Sequence, residues 1–156
     1  MNSEPPYRQK RSYTQSIGAT ADEVFRLMCP IREQDWVPGW RPLMVLSNSG
    51  LVEEDCMFLT PGDPADAIWI TTDHDPEARS LRMYKIVPGV VISRLDIAVT
   101  DEHSGTKATI SYEHTALSEA GRTIVNGHTE AAYRTFMENW EAAVQTYLTT
   151  GKMIEA

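Results

Sequence analysis

The C-terminal stretch from Ser118 to Gly151 constrains the fold more than any other part of the chain. Its apolar residues recur every three or four positions, which is the spacing of one helix face: Tyr133, Phe136, Met137, Trp140, Val144, Tyr147 and Leu148. Gly151 follows the last of these residues, where a glycine commonly caps a helix. We therefore predict a long C-terminal helix, continuous over 126–150, that buries Phe136, Trp140 and Val144 against a large partner surface.

Most of the preceding chain has the composition that is typical of β-strands. Seven segments are rich in β-branched and aromatic residues or alternate between apolar and polar residues, namely 7–17, 43–46, 56–60, 67–74, 81–87, 90–100 and 106–117. After the first of them, Thr20 and Glu23 form a capping-box pattern that begins a short helix, and Pro30 must end it. Residues 31–35 are compatible with one more helical turn. Short turns connect the later strands, which predicts an antiparallel sheet.

Length and charge limit the function classes. A chain of 156 residues with a net charge of −8 predicts one domain and argues against nucleic acid or an anionic membrane surface as a partner. It contains no apolar run near the ~20 residues of a membrane span. We expect a disordered tail at 1–6, one domain at 7–151 and a second tail at 152–156. The polar, proline-containing start and two free thiols, Cys29 and Cys56, favour a cytoplasmic location.

The order of these elements resembles the helix-grip fold of the SRPBCC superfamily, which includes the birch-pollen allergen family, the START lipid-transfer domains and the aromatic polyketide cyclases. The resemblance covers roughly 7–150. Its motifs are Ala21-Asp-Glu-Val-Phe25, Asp35-Trp36, the segment 112–121 and the ending 139–151. It implies an α+β fold in which a curved antiparallel sheet of six to seven strands surrounds the long C-terminal helix, with one or two short helices after strand one.

The resemblance also implies three alternative functions. The first is to bind a small hydrophobic or amphipathic molecule in a cavity between the sheet and the helix. The second is a polyketide cyclase- or dehydratase-like enzyme that uses acid and base residues in this cavity. The third is a protein-interaction module like the co-chaperone branch of the superfamily. We expect no cofactor and no metal. The oligomeric state stays open, and a homodimer is among the alternatives.

Alternation along the last strand singles out His114. Ile110 and Tyr112 are four and two residues before it, so all three side chains share the face that meets the helix. His114 is therefore either a core histidine satisfied by a hydrogen bond or a base in the cavity, with His128 as a second catalytic candidate. Three histidines, His74, His114 and His128, lack the local spacing of a zinc site.

Aromatic residues supply the remaining site candidates, because aromatic walls with a few polar groups are typical of small-molecule sites. We predict that the turn from Trp36 to Trp40 closes one end of the cavity. Alternation does not decide which face of strand 67–74 points inward, nor which face Tyr84 takes. The predicted ligand-binding residues are Trp36, Trp40, Trp69, Tyr84, Tyr112, His114, His128, Tyr133, Phe136 and Trp140.

Overall fold

A computed structural model describes residues 1–155 of the chain. Within these residues it has seven strands and three α-helices: β1 (Arg8–Ile17), α1 (Ala21–Leu27), β2 (Met44–Leu46), β3 (Met57–Thr60), β4 (Ala67–Asp75), β5 (Ser80–Val87), β6 (Val91–Glu102), β7 (Gly105–Ala116), α2 (Glu119–Gly127) and α3 (Glu130–Thr150). A short 3-10 turn, Arg32–Asp35, follows α1. No helix within residues 1–155 is long and apolar enough to cross a membrane.

The strands form one antiparallel sheet in the order β1-β7-β6-β5-β4-β3-β2. The sheet curves, and its inner face packs against α3, which is the helix-grip arrangement that the element order predicted. Thr20 begins α1 with the predicted capping box, in which Glu23 N–H donates to the Thr20 hydroxyl and Glu23 reaches back to the backbone of Thr20. The predicted fold class is confirmed. The division into a domain at 7–151 and two tails stays a prediction.

The predicted continuous helix over 126–150 is wrong, because the chain turns at His128. This residue has φ −80° and ψ 61°, which is outside the helical region. Thr129 then caps α3, since its hydroxyl accepts the N–H of Ala132. The break places the ring of His128 against β7, where its Nε2 meets the carbonyl of Tyr112 at 3.0 Å.

The buried stripe of α3 is narrower than predicted. Met137 and Val144 are fully buried and Tyr133 is nearly so, whereas Phe136 is 51% exposed. Consecutive residues of an α-helix are about 100° apart, so Phe136 lies at the edge of the stripe that Met137 centres. The prediction that α3 buries Phe136 is therefore wrong, and that for Val144 is confirmed.

A β-bulge explains why the alternation of β4 was ambiguous. Ala67, Trp69 and Thr71 point inward and are buried. The register with β5 then shifts between Thr71 and Asp73, which returns His74 to the inner face opposite Leu81. Both candidate inner faces therefore occur in β4: Ala67, Trp69 and Thr71 point inward before the bulge, and His74 points inward after it.

Candidate functional site

Two adjoining cavities lie between the inner face of the sheet and α3, each of about 260 Å³. The first, here called the aromatic cavity, has walls of Trp40, Phe58, Trp69, Tyr112, Phe136 and Trp140. The second, the histidine cavity, is bordered by His114, His128, Tyr133 and Ala132. Three residues line both cavities: Lys85, Tyr112 and Phe136. Most of the predicted site residues are thus divided between two compartments that share one boundary.

The two tryptophans of the turn after α1 have different positions. Trp36 is fully buried, its Nε1–H donates to the carbonyl of Leu27 at 3.1 Å, and its ring packs 5.4 Å from that of Trp140 on α3. Trp40 lines the aromatic cavity, and its Nε1–H donates to the carbonyl of Pro30 at 2.7 Å. Of the two rings, one therefore packs against α3 in the core and the other forms a cavity wall.

Trp69 forms the floor of the aromatic cavity. Its ring stacks on Phe58 with 5.2 Å between ring centroids and meets Trp40 edge to face at 5.8 Å. Its Nε1–H donates to the hydroxyl of Thr60 at 3.0 Å. Because the indole donors of both tryptophans are occupied by the protein, these rings offer a ligand only apolar and π surface.

Glu33 brings a carboxyl group into these aromatic walls. It lies in the 3-10 turn, is only 7% exposed and lines the aromatic cavity. Within residues 1–155 no cation lies within 4 Å of this carboxyl, and no hydrogen bond reaches it. Burial raises the pKa of Glu33 to about 8, so the group is mostly a neutral acid at neutral pH. Glu33 could not be identified from the sequence, because a single 3-10 turn is too short to show periodicity.

Lys85 belongs to a row of side chains that crosses three strands on the inner face. Lys85 of β5 is directly opposite Ser93 of β6, which is directly opposite His114 of β7. The small side chain of Ser93 leaves space above it that the two longer side chains border. The ammonium of Lys85 lies 5.3 Å from the centre of the Trp69 ring, and burial lowers its pKa. Leu81 and Met83 precede Lys85 at two-residue spacing and are buried, so the three side chains share one face of β5.

His114 and His128 form a close pair with 4.3 Å between ring centroids. The Nδ1 of His114 is 2.6 Å from the hydroxyl of Ser93. A carbonyl can only accept, so the Nε2 of His128 donates its proton to Tyr112, and the Nδ1 of neutral His128 is an acceptor. Burial, together with His128 and Lys85, lowers the pKa of His114 to about 4, and burial also lowers the pKa of His128. Both rings are therefore neutral at neutral pH.

The two tyrosines of the histidine cavity differ in their partners. The hydroxyl of Tyr133 donates to the buried carbonyl of Ile110, so it fixes α3 to β7. Tyr112 borders both cavities, and no hydrogen bond to its hydroxyl occurs within the described residues. Burial and then the carboxyl of Glu33 raise the pKa of Tyr112, which keeps the phenol protonated as a hydrogen-bond donor.

Trp36 is buried in the core and lines neither cavity, so the prediction that it binds the ligand is wrong. Tyr84 is a second predicted site residue that the structure places elsewhere. Its neighbours Met83 and Lys85 point inward, so Tyr84 points outward, opposite Arg94. The prediction that it lines the cavity is therefore wrong, and the alternation of β5 is the physical reason. Phe136, although exposed, lines both cavities and lies at their shared boundary.

A further, open concavity of about 380 Å³ lies on the outer face of the sheet, beside Arg82 and Asp96. Asp96 accepts from Arg82 at 2.6 Å and from Arg94 at 3.0 Å, and Asp73 accepts from the hydroxyl of Thr72 at 3.0 Å. We assign no function to it, because its charged groups already have partners. Residues 1–155 contain no group of three or more side chains arranged to hold a metal ion, and His74 stacks on Phe25 of α1.

No family model and no curated protein matches the sequence, but solved structures match the fold. A norcoclaurine synthase from Thalictrum flavum, a point mutant in complex with a transition-state analogue, aligns over 95% of this chain and 100% of its own with a TM-score of 0.67 at 14% identity. Ara h 8.0201 aligns over 92% and 99% with a TM-score of 0.63 at 8% identity. DynU16, from the dynemicin biosynthetic locus, matches over 92% of this chain with a TM-score of 0.61 at 18% identity, and the match spans 48% of DynU16. Together with the observed sheet and C-terminal helix, these similarities show that the chain has the helix-grip fold.

Proposed function

We propose that the protein binds a small, largely apolar molecule with one or two polar groups between the sheet and α3. The observation that carries this proposal is Glu33, a buried carboxyl that faces an aromatic-walled cavity and has no partner in residues 1–155. Buried polar groups in proteins are nearly always hydrogen-bonded. The carboxyl oxygens of Glu33 are open to the cavity, so a ligand with a complementary polar group can supply the hydrogen bond that the protein does not.

The size of the site limits the ligand. Each cavity holds about 260 Å³, which is below the range of about 300–1,000 Å³ for drug-sized ligands. A single aromatic ring with a short substituent suits one compartment, and a two-ring molecule would extend across Tyr112 and Phe136 into both. Structural relatives with this fold include a norcoclaurine synthase in complex with dopamine and hydroxybenzaldehyde. That complex supports a small aromatic ligand class for this protein.

Tryptophan fluorescence tests the proposal directly. We expect 4-nitrobenzyl alcohol to quench the emission saturably, because Trp40, Trp69 and Trp140 line the aromatic cavity. Leu95→Phe should abolish the saturable quenching, since Leu95 is buried and borders the same cavity. A matched control is Ile92→Phe, on the opposite face of the same strand. Linear quenching of the parent protein, or unchanged binding by Leu95→Phe, contradicts the proposal.

A second candidate function is acid–base catalysis on a carbonyl compound. The observation that favours it is the combination of a neutral acid, Glu33, with two neutral histidines around one tyrosine, Tyr112. A neutral histidine can remove a proton next to a carbonyl while an acid stabilises the enolate oxygen. The test is exchange of the methyl protons of acetophenone in D₂O, followed by NMR. Exchange that the protein accelerates, and that His114→Gln abolishes, supports an enzyme. No acceleration leaves ligand binding as the function of the site.

A further inference from the structure

We infer that Lys85 is a nucleophilic amine that forms an imine with aldehydes bound in the two cavities. This inference rests on the proposed binding function and names the chemistry of its ligands. Its starting point is geometric: Lys85 lies on the inner face of β5, at the boundary that both cavities share. An aldehyde in either compartment is therefore adjacent to the same amine.

The environment of Lys85 differs from that of an ordinary lysine. Within residues 1–155 no carboxylate lies within 4 Å of its ammonium, and the neighbouring polar groups on the inner face are Ser93 and His114. Glu33 lines the aromatic cavity as well, but it is protonated over most of the neutral range and makes no ion pair with Lys85. The charged form thus has only the Trp69 ring as a compensating partner. Desolvation of this kind favours the neutral amine, which is the nucleophile in imine formation.

The other lysines of the chain provide an internal comparison. Its four lysines are Lys10, Lys85, Lys107 and Lys152; Lys85 is partly buried, and the other three are exposed. Lys107, in contrast, pairs with Glu102 at 2.7 Å. Selective reaction of one amine among four would therefore reflect its environment.

The reaction itself needs no group that the site lacks. The neutral amine of Lys85 adds to the carbonyl carbon, and one amine proton passes to the carbonyl oxygen to give a carbinolamine. Loss of water, with the second amine proton leaving on it, then forms the C=N bond. No electrons are gained or lost. Neutral His114, across Ser93 in the same row, is placed to relay these protons.

Reductive trapping tests the inference. The full chain is incubated at pH 7 with benzaldehyde and sodium cyanoborohydride, which reduces an imine to a stable benzylamine, and the labelled peptides are quantified by mass spectrometry. We expect more label on Lys85 than on Lys10, Lys107 and Lys152 together, because burial lowers the pKa of its amine and so raises the neutral fraction. The exposed α-amino group of Met1 serves as the standard between samples.

One variant and one competitor separate this inference from the proposed function. Lys85→Arg keeps the positive charge but cannot form an imine, so it should lose the selective label. An excess of that alcohol should suppress labelling of Lys85 and leave Lys107 unchanged. Equal labelling of all four lysines, with intact binding of the alcohol, overturns the inference and leaves the binding function standing. If the alcohol does not bind either, both fail.

Discussion

Glu33 should make the stability of the protein fall as pH rises. The pKa of this carboxyl is 4.5 in an exposed glutamate and about 8 in the folded chain, because burial disfavours the anion. Below pH 4.5 Glu33 is protonated in both the folded and the unfolded state, so it does not change the free energy of unfolding. Between pH 4.5 and 8 the unfolded chain ionises while the folded chain keeps its proton, so the unfolded state becomes relatively more favourable.

The size of this effect follows from the two pKa values. Each pKa unit corresponds to about 1.4 kcal/mol, so the full shift amounts to about 5 kcal/mol. Between pH 5 and pH 8 the free energy of unfolding should fall by about 3 to 4 kcal/mol from this residue alone. That is a large share of the total stability of a domain, which is commonly about 5–15 kcal/mol.

Glu33→Gln isolates the contribution, because the amide has nearly the same shape and does not titrate. We expect urea melts at pH 5, 6, 7 and 8 to show the variant gaining on the parent by about 1.4 kcal/mol per pH unit. Glu138→Gln, on the exposed face of α3, should follow the parent at every pH. Parallel pH profiles for Glu33→Gln and the parent would refute the argument, since they would show that Glu33 ionises as easily in the folded chain as in the unfolded one.

Two further substitutions test the packing around the site. Phe136→Ala should change the free energy of unfolding by less than about 1 kcal/mol, because the ring is half exposed. It should weaken binding of 4-nitrobenzyl alcohol up to about tenfold, because the ring lines both cavities. An unchanged Kd in the fluorescence titration would remove Phe136 from the site. Gly121→Ala should destabilise the protein by at least about 2 kcal/mol in a urea melt, because its Cβ would lie 1.9 Å from the carbonyl oxygen of Val90. The control Gly127→Ala, whose Cβ meets nothing within 4 Å, should be nearly neutral. Equal effects of the two substitutions would contradict this close approach of α2 to the sheet.

Local patterns in the sequence determined most of the fold. The capping box at Thr20, the seven strand segments and the apolar stripe that ends at Gly151 each depend on neighbours within a few residues, and all three appear in the structure. Alternation also placed His114 on the inner face, because Ile110 and Tyr112 set the phase of β7. Such patterns are visible without the fold, since helix and strand periods are properties of the local backbone.

Three features of the site depended on tertiary structure. The turn at His128 is one: Thr129 caps α3 there, but the apolar period on either side suggests an unbroken helix. The outward face of Tyr84 and the inward face of Lys85 are the second, because the register of β5 against β6 selects between two phases that the local sequence allows. The third is Glu33, a polar residue in a short turn that looks solvent-exposed in the sequence. It became a buried acid only because Phe58 and Trp69, distant along the chain, close the cavity around it together with the nearby Trp40, and burial is a property of the whole fold.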